Sequence, residues 1–109
     1  MNKYRNKKVK VDGITFDSKK ESERYLELKL LERAGCIKEL ELQKSFEIQP
    51  AFSFKNKKIR AIKYVCDFYY YDNDRKQYVV EDTKGMRTKE YLLKKKLFEY
   101  KYGIEIEER

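Results

Sequence analysis

The sequence predicts a mixed α/β fold: a hairpin, a helix, three strands, a second helix and a final strand, with the helices packed on the sheet. Three observations predict it. Two segments carry helical periodicity, and each is stopped by a glycine. The stretches between and after them alternate in polarity or are dense in β-branched and aromatic residues. An Asp-Gly turn near the start separates two short alternating runs. The 109 residues fit one domain, spanning 1–109, with a single core of modest margin.

Each element has its own warrant. In KKVKVDGITFDS, Val9, Val11, Ile14 and Phe16 alternate with polar residues about Asp12-Gly13, the pattern of a hairpin. Asp17 or Ser18 is a good N-cap, and with Ser18 as cap Glu21 completes a capping box. The first helix is expected from about Lys19 to Ala34, ended by Gly35. Tyr25, Leu28 and Leu31 supply its apolar row, widened by Leu26, Leu30 and Ala34. Ser22, Lys29, Glu32 and Arg33 mark its wet face. ELELQKSFEIQPAFSF continues as extended chain, with Pro50 at an edge or a break. KNKK at 55–58 is a turn, and Ile59 to about Tyr71 is strand-like. DNDRK at 72–76 is a strong turn signal before a strand from Tyr78 to Lys84, which Gly85 ends. MRTKEYLLKKKLFEYKY reads as the second helix, with Tyr91, Leu92, Leu93, Leu97 and Phe98 as its apolar positions. Gly103 closes it before a last short strand in IEIEE.

Composition narrows the chemistry. Lys+Arg number 27 against 19 Asp+Glu, a net charge of +8. That sign suits a polyanionic partner, nucleic acid before an anionic membrane. No apolar run approaches the ~18 residues of a membrane span, and the basic start lacks the apolar stretch of a secretory signal. A cytoplasmic location follows as the expectation, with Cys36 and Cys66 as reduced, space-filling thiols. There is no histidine, which excludes serine–histidine hydrolysis, histidine general bases and histidine-ligated zinc within the chain. Two cysteines are too few for a four-cysteine zinc site. An enzyme built from these residues works with carboxylates, lysine and a hard cation.

One constellation has that chemistry. In YVVEDTKG, alternation places Tyr78, Val80, Asp82 and Lys84 on one face of a strand and Val79, Glu81 and Thr83 on the other. Asp82 and Lys84 then stand about 7 Å apart along the strand. In KYVCDFYYY, Asp67 interrupts a mostly apolar and aromatic run. Reflection about a turn near residue 74 sets Asp67 opposite about residue 81, within a residue or so of Asp82. Two carboxylates and an amine gathered at one sheet rim suit Mg²⁺ or Mn²⁺ and a phosphodiester. The bland alternative is an Asp82–Lys84 salt bridge and a turn-capping Asp67. A third acid is expected from the first helix. Glu21, Glu23 and Glu27 are the candidates, and helical periodicity does not choose among them.

These residues resemble the PD-(D/E)XK nuclease superfamily, and within it the small phage and prophage proteins related to Holliday-junction resolvases. The likeness rests on FDSKKE, GCIKELELQ, CDF, EDTKG and TKEYLLKKKL, and it covers nearly the whole chain. It implies a restriction-endonuclease-like core with an N-terminal hairpin. It makes Asp67, Asp82 and Glu21 metal ligands, with the carbonyl of Thr83 completing the set and Gln43 as an accessory. It makes Lys84 the catalytic lysine. Cys66 stands where the superfamily's name has proline. The implied activity is Mg²⁺- or Mn²⁺-dependent DNA cleavage on branched DNA, and a junction resolvase needs paired sites, hence a homodimer. Lys7, Lys8, Arg87, Lys89, Lys94 and Lys95 are the candidate phosphate contacts. Two other readings compete: a non-catalytic DNA-binding module on the same scaffold, and a small interaction protein using its ten tyrosines.

Overall fold

The computed structural model describes residues 7–83 and 86–109. Two strands, β1 (Val9–Val11) and β2 (Ile14–Phe16), lead into helix α1 (Lys19–Arg33). Seven strands follow: β3 (Ile37–Leu42), β4 (Ser45–Gln49), β5 (Phe52–Phe54), β6 (Lys57–Ile59), β7 (Ile62–Val65), β8 (Phe68–Asp72) and β9 (Gln77–Asp82). Helix α2 (Lys89–Tyr102) and strand β10 (Ile106–Glu108) end the chain. The fold is therefore mixed α/β, as the patterning predicts. No helix among the described residues is long and apolar enough to cross a membrane.

The central sheet has the order β10-β9-β8-β3. Neighbours β3, β8 and β9 are antiparallel, and β10 runs parallel to β9. The parallel pair needs a crossover, and α2 supplies it. Alternation along β9 feeds two cores. Val79 joins Phe16, Tyr25, Leu28, Ile37, Phe68 and Tyr70 on the α1 side. Val80 joins Phe46, Tyr64, Cys66, Tyr91, Phe98 and Ile106 on the α2 side. The sheet is thus covered on both faces, with helix α1 on one and helix α2 on the other.

Local signals set most boundaries. Asp12 and Gly13 both have positive φ, 53° and 76°, as a two-residue type I′ hairpin turn requires. The Ser18 side chain accepts from the Glu21 N–H at 3.1 Å and caps α1. The Thr88 hydroxyl does the same for Tyr91 at 3.1 Å, so α2 starts at Lys89 and not at Met86. Gly103 ends α2 in the left-handed region, φ 67°.

Two expectations need correction. The first concerns the strand count. The extended run from Leu40 to Tyr71 is not two strands of the main sheet. Residues 45–65 leave the sheet and double back as a two-stranded ribbon. Its inner half pairs β4 with β7, and its outer half pairs β5 with β6. Pro50 and Ala51 on one strand, Arg60 and Ala61 on the other, mark the break between halves. A shift in register between Glu47 and Gln49 adds a bulge there. The turn is confined to Lys55 and Asn56, with φ 48° and 65°, while Lys57 and Lys58 are already strand. The strand-like reading was right about conformation, but local propensity holds no information on which strand a segment pairs with.

The second correction concerns helix faces. Ser22, expected on the wet face, is 3% exposed and donates its hydroxyl to the Lys19 carbonyl at 2.7 Å. Leu26 and Leu30 are exposed, and Leu31 is at the surface too. Apolar residues ring most of α1, so periodicity alone cannot choose a side. Tyr25 decides it: its ring packs 5.0 Å from that of Phe16, and its hydroxyl donates to Asp12 Oδ2 at 3.0 Å. On α2, likewise, Tyr91 and Phe98 are buried while Leu92, Leu93 and Leu97 face out.

Candidate functional site

The site begins with the last two residues of β9. Glu81 and Asp82 are each 1% exposed, an expensive position for a carboxylate unless it is partnered. They face opposite layers, as alternation requires. Glu81 points at α1, where Arg24 donates through Nε to Oε1 at 2.8 Å and through its terminal nitrogen to Oε2 at 2.6 Å. Tyr70 also donates to Oε2, and Arg109 stands 3.3 Å from Oε1. Burial alone would raise the Glu81 pKa, but donation by Arg24 and Tyr70 outweighs it and holds the group below the usual range. The forked geometry fills both oxygens, which makes Glu81 a structural ion.

Asp82 points the other way. The Tyr64 hydroxyl, from the inner ribbon, donates to its Oδ2. Burial, and then that bond to Asp82, push the Tyr64 pKa far above its ordinary value, so the hydroxyl keeps its proton and stays a donor. Burial pushes the Cys66 thiol up to about 12, so this cysteine is an inert filler. Cys36 is exposed.

Asp67 sits one residue before β8. The register pairs Phe68 with Glu81, so one step further sets Asp67 across from Asp82. Its backbone N–H donates to the Glu81 carbonyl at 3.1 Å. Its Oδ2 accepts from the Thr83 N–H at 2.7 Å, which leaves Oδ1 turned toward Gln43. Gln43 Nε2 stands 3.3 Å from Asp67 Oδ1 and 3.5 Å from Glu21 Oε2. One amide thereby links carboxylates from α1 and from the root of β8. Of the three acids left open on α1, Glu21 is the buried one that reaches this rim. Glu23 and Glu27 are exposed, and Glu27 pairs with Arg24 at 3.3 Å.

Gln43 itself has φ 54°, in the left-handed region that non-glycine residues avoid. Its backbone N–H donates to the Asp67 carbonyl at 3.0 Å, so backbone and side chain both hold Asp67. Asp12, Glu39, Lys55, Asn56 and Lys76 share a positive φ at turns and irregularities, so what sets Gln43 apart is its place between the two carboxylates.

The expected role of Lys84 falls on a residue outside those described, as does Gly85. Among the expected phosphate contacts, Lys7, Lys8 and Lys89 are exposed. Arg87 pairs with Glu108 at 3.3 Å. Lys94 and Lys95 are half-buried and paired within α2, with Glu90 at 3.1 Å and Glu99 at 2.7 Å. The sequence reading missed Tyr64 and Arg24, the positioning partners of Asp82 and Glu81. Arg24 carried no readable signal, because the sheet side of α1 was not legible from periodicity. Tyr64 had none among ten tyrosines.

Among the described residues, no three Asp, Glu or Cys side chains form a ready-made metal cage. The donor chemistry nonetheless suits a hard cation. Glu21 Oε2 and Asp67 Oδ1 are carboxylate oxygens aimed at one partially positive amide, and Mg²⁺ binds through one or two carboxylates with water and phosphate completing its shell.

The chain belongs to the DUF1064 family, described as protein of unknown function, whose profile matches residues 1–107. No curated protein and no solved structure matches the chain significantly.

Proposed function

We propose that this DUF1064 family member is a divalent-metal-dependent DNA endonuclease whose site is the rim formed by Glu21, Gln43, Asp67 and Asp82. The observation that carries the reading is the linkage at that rim. The amide of Gln43, a residue with positive φ, bridges the buried Glu21 of α1 and Asp67 before β8, and Asp67 lies across from the buried Asp82 in the strand register. The order of α1, β3, β8, β9, α2 and β10 supports it, because it agrees with the helix, three strands, helix, strand core that the sequence resemblance implies. The net charge of +8 supports a polyanionic substrate.

The chain's own residues do three things in this reading. Tyr64 fixes the Asp82 carboxylate and Thr83 fixes that of Asp67, so that neither must be ordered when substrate arrives. Gln43 holds Asp67 Oδ1 and Glu21 Oε2 toward a common point. Lys84, two residues beyond Asp82, is assigned to orient the attacking water or to stabilise charge on the phosphate. Mg²⁺ or Mn²⁺ bound between the carboxylates would supply Lewis acidity and lower the pKa of water.

The test is cleavage of linear, nicked and four-way DNA with and without Mg²⁺. The expected result is metal-dependent cutting by the wild type and none by Asp82→Ala or Lys84→Ala. A wild type that cuts no DNA, or variants that cut as it does, overturns the reading. Salt-sensitive DNA binding without turnover points instead to a non-catalytic DNA module.

A further inference from the structure

We propose that the outer half of the ribbon, β5 and β6, is a DNA-engaging arm that grips phosphates with its lysines and stacks Phe52 and Phe54 on unpaired bases. The inference rests on the reading of the site at the ribbon's root as one that acts on DNA.

Charge is the first observation. Residues 48–66 contain Lys55, Lys57, Lys58, Arg60 and Lys63 and not one of the chain's 19 acids. Residues 1–11 are another acid-free basic stretch, whereas α2 carries Glu90 and Glu99, which pair with Lys94 and Lys95. None of the five ribbon cations forms an ion pair among the described residues. Lys63 stands opposite Glu47 in the register, so the four cations of the outer half, Lys55, Lys57, Lys58 and Arg60, are the ones available to phosphates.

Shape and apolar surface are the second. Phe52 is 46% exposed and Phe54 58% exposed. The register pairs Phe52 with Ile59 and Phe54 with Lys57, so these four side chains share one face. Ser53 and Lys58 share the opposite face. Lys55 Nζ lies 5.5 Å from the Phe54 ring centre. The result is a thin ribbon end with two rings on one side and cations around its tip. Sequence-tolerant binders of unpaired strands combine these same two features. The radius of gyration, 16.0 Å, exceeds the roughly 13 Å of a compact chain this long, in keeping with elements that stand off the body.

Position is the third. The ribbon's root is the candidate site. The Lys44 carbonyl accepts from the Cys66 N–H at 3.0 Å, beside Gln43 and Asp67, and Tyr64 of β7 holds Asp82. From Ser45 to Lys55 the strand path is at most about 33 Å, close to one turn of duplex. The inner half is anchored: Lys101 Nζ and the Tyr102 hydroxyl donate to the Glu47 carbonyl at 2.9 and 2.6 Å. A cleft of 320 Å³ between β7 and α2 is bordered by Lys63, Tyr64, Glu90, Tyr91 and Lys94, and its Tyr64 is the residue that donates to Asp82, which ties the base of the arm to the site.

The experiment measures fluorescence anisotropy of a labelled four-way junction and its linear arms in EDTA, where cutting does not intervene. A second probe carries 2-aminopurine at the branch. Lys55, Lys57, Lys58 and Arg60 are changed together to Ala in one variant, and Phe52→Leu with Phe54→Leu in another, which keeps apolar bulk at the hairpin. The charge variant is expected to lower the salt slope on duplex by about 0.9 for each phosphate it no longer neutralises. The ring variant is expected to weaken junction binding roughly 5- to 150-fold per stacked base and to abolish the 2-aminopurine response. Circular dichroism melts matching the wild type show that the body is intact. The arm is overturned if the wild type binds no DNA, if both variants bind as it does, or if the ring variant loses only self-association. A wild type that binds through the arm but cuts nothing with Mg²⁺ sustains the arm and sinks the nuclease reading.

Discussion

Glu81 and Asp82 are consecutive and equally buried, but they serve different layers of the molecule. On the α1 side, Glu81 meets two arginines and a tyrosine. On the α2 side, Asp82 receives the neutral hydroxyl of Tyr64 and stands beside Asp67. The first arrangement neutralises a charge inside the fold, and the hydroxyl of the second fixes the direction of a carboxylate. Burial is the same in both, so the contrast lies in the donors: two arginines and Tyr70 at Glu81, Tyr64 at Asp82.

The contrast can be broken most severely at Glu81. Glu81→Ala leaves Arg24, whose side chain is 14% exposed, without its buried partner. A loss of about 3–5 kcal/mol is expected, read from the urea midpoint. Asp82→Asn should lose far less, because the Tyr64 hydroxyl still finds an acceptor. Equal losses in the two variants would erase the distinction.

On the Asp82 side, Tyr64→Phe removes the hydroxyl and keeps the ring. Metal-dependent cleavage is expected to fall about 10- to 100-fold, with a raised Mg²⁺ requirement, as when an outer partner of a metal ligand is removed. Cleavage at the wild-type level and wild-type Mg²⁺ dependence would show that Asp82 needs no orienting.

Acid titration sharpens the same comparison. The folded Glu81 pKa lies below its unfolded value. Its contribution is therefore complete above the unfolded value and is lost as pH falls through the folded one. The wild type should lose stability progressively in that acid window. Glu81→Gln should be less stable at neutral pH and should show a shallower acid limb. Parallel limbs in the two proteins would mean that Glu81 is not the group responsible.

The smallest expected effect is at Gln43. Gln43→Gly relieves the left-handed backbone at φ 54° but deletes the amide bridge. Stability should rise by about 1 kcal/mol or less, offset in part by the freer unfolded chain, while cleavage drops. A variant that is both more stable and fully active would remove Gln43 from the site.

Much of this was legible in the sequence because it depends on near neighbours. The Asp12-Gly13 turn, the Ser18 cap and the Gly103 stop each follow from a few consecutive residues. So does the split between Glu81 and Asp82, since a strand sends successive side chains to opposite faces whatever surrounds it. Reflection about the 72–76 turn set Asp67 within a residue of its observed place, because a short tight turn limits the register. The helix faces were not legible. Leu26 and Leu30 look as suitable for burial as Tyr25 and Leu28, and only the shape of the sheet and hairpin chose between them.

By itself, then, the sequence determined the order of the helices and the main-sheet strands, several turns and caps, and that Asp82 and Glu81 point to opposite faces. The tertiary structure decided that residues 45–65 form a ribbon outside the main sheet. It also decided that Glu21, and not Glu23 or Glu27, joins Asp67 through Gln43. It matched Arg24 to Glu81 across 57 positions of chain. The physical reason is range. Dihedral preferences and alternation act over a few residues, while a partner for a buried charge is selected by packing among segments that meet only once the chain has folded.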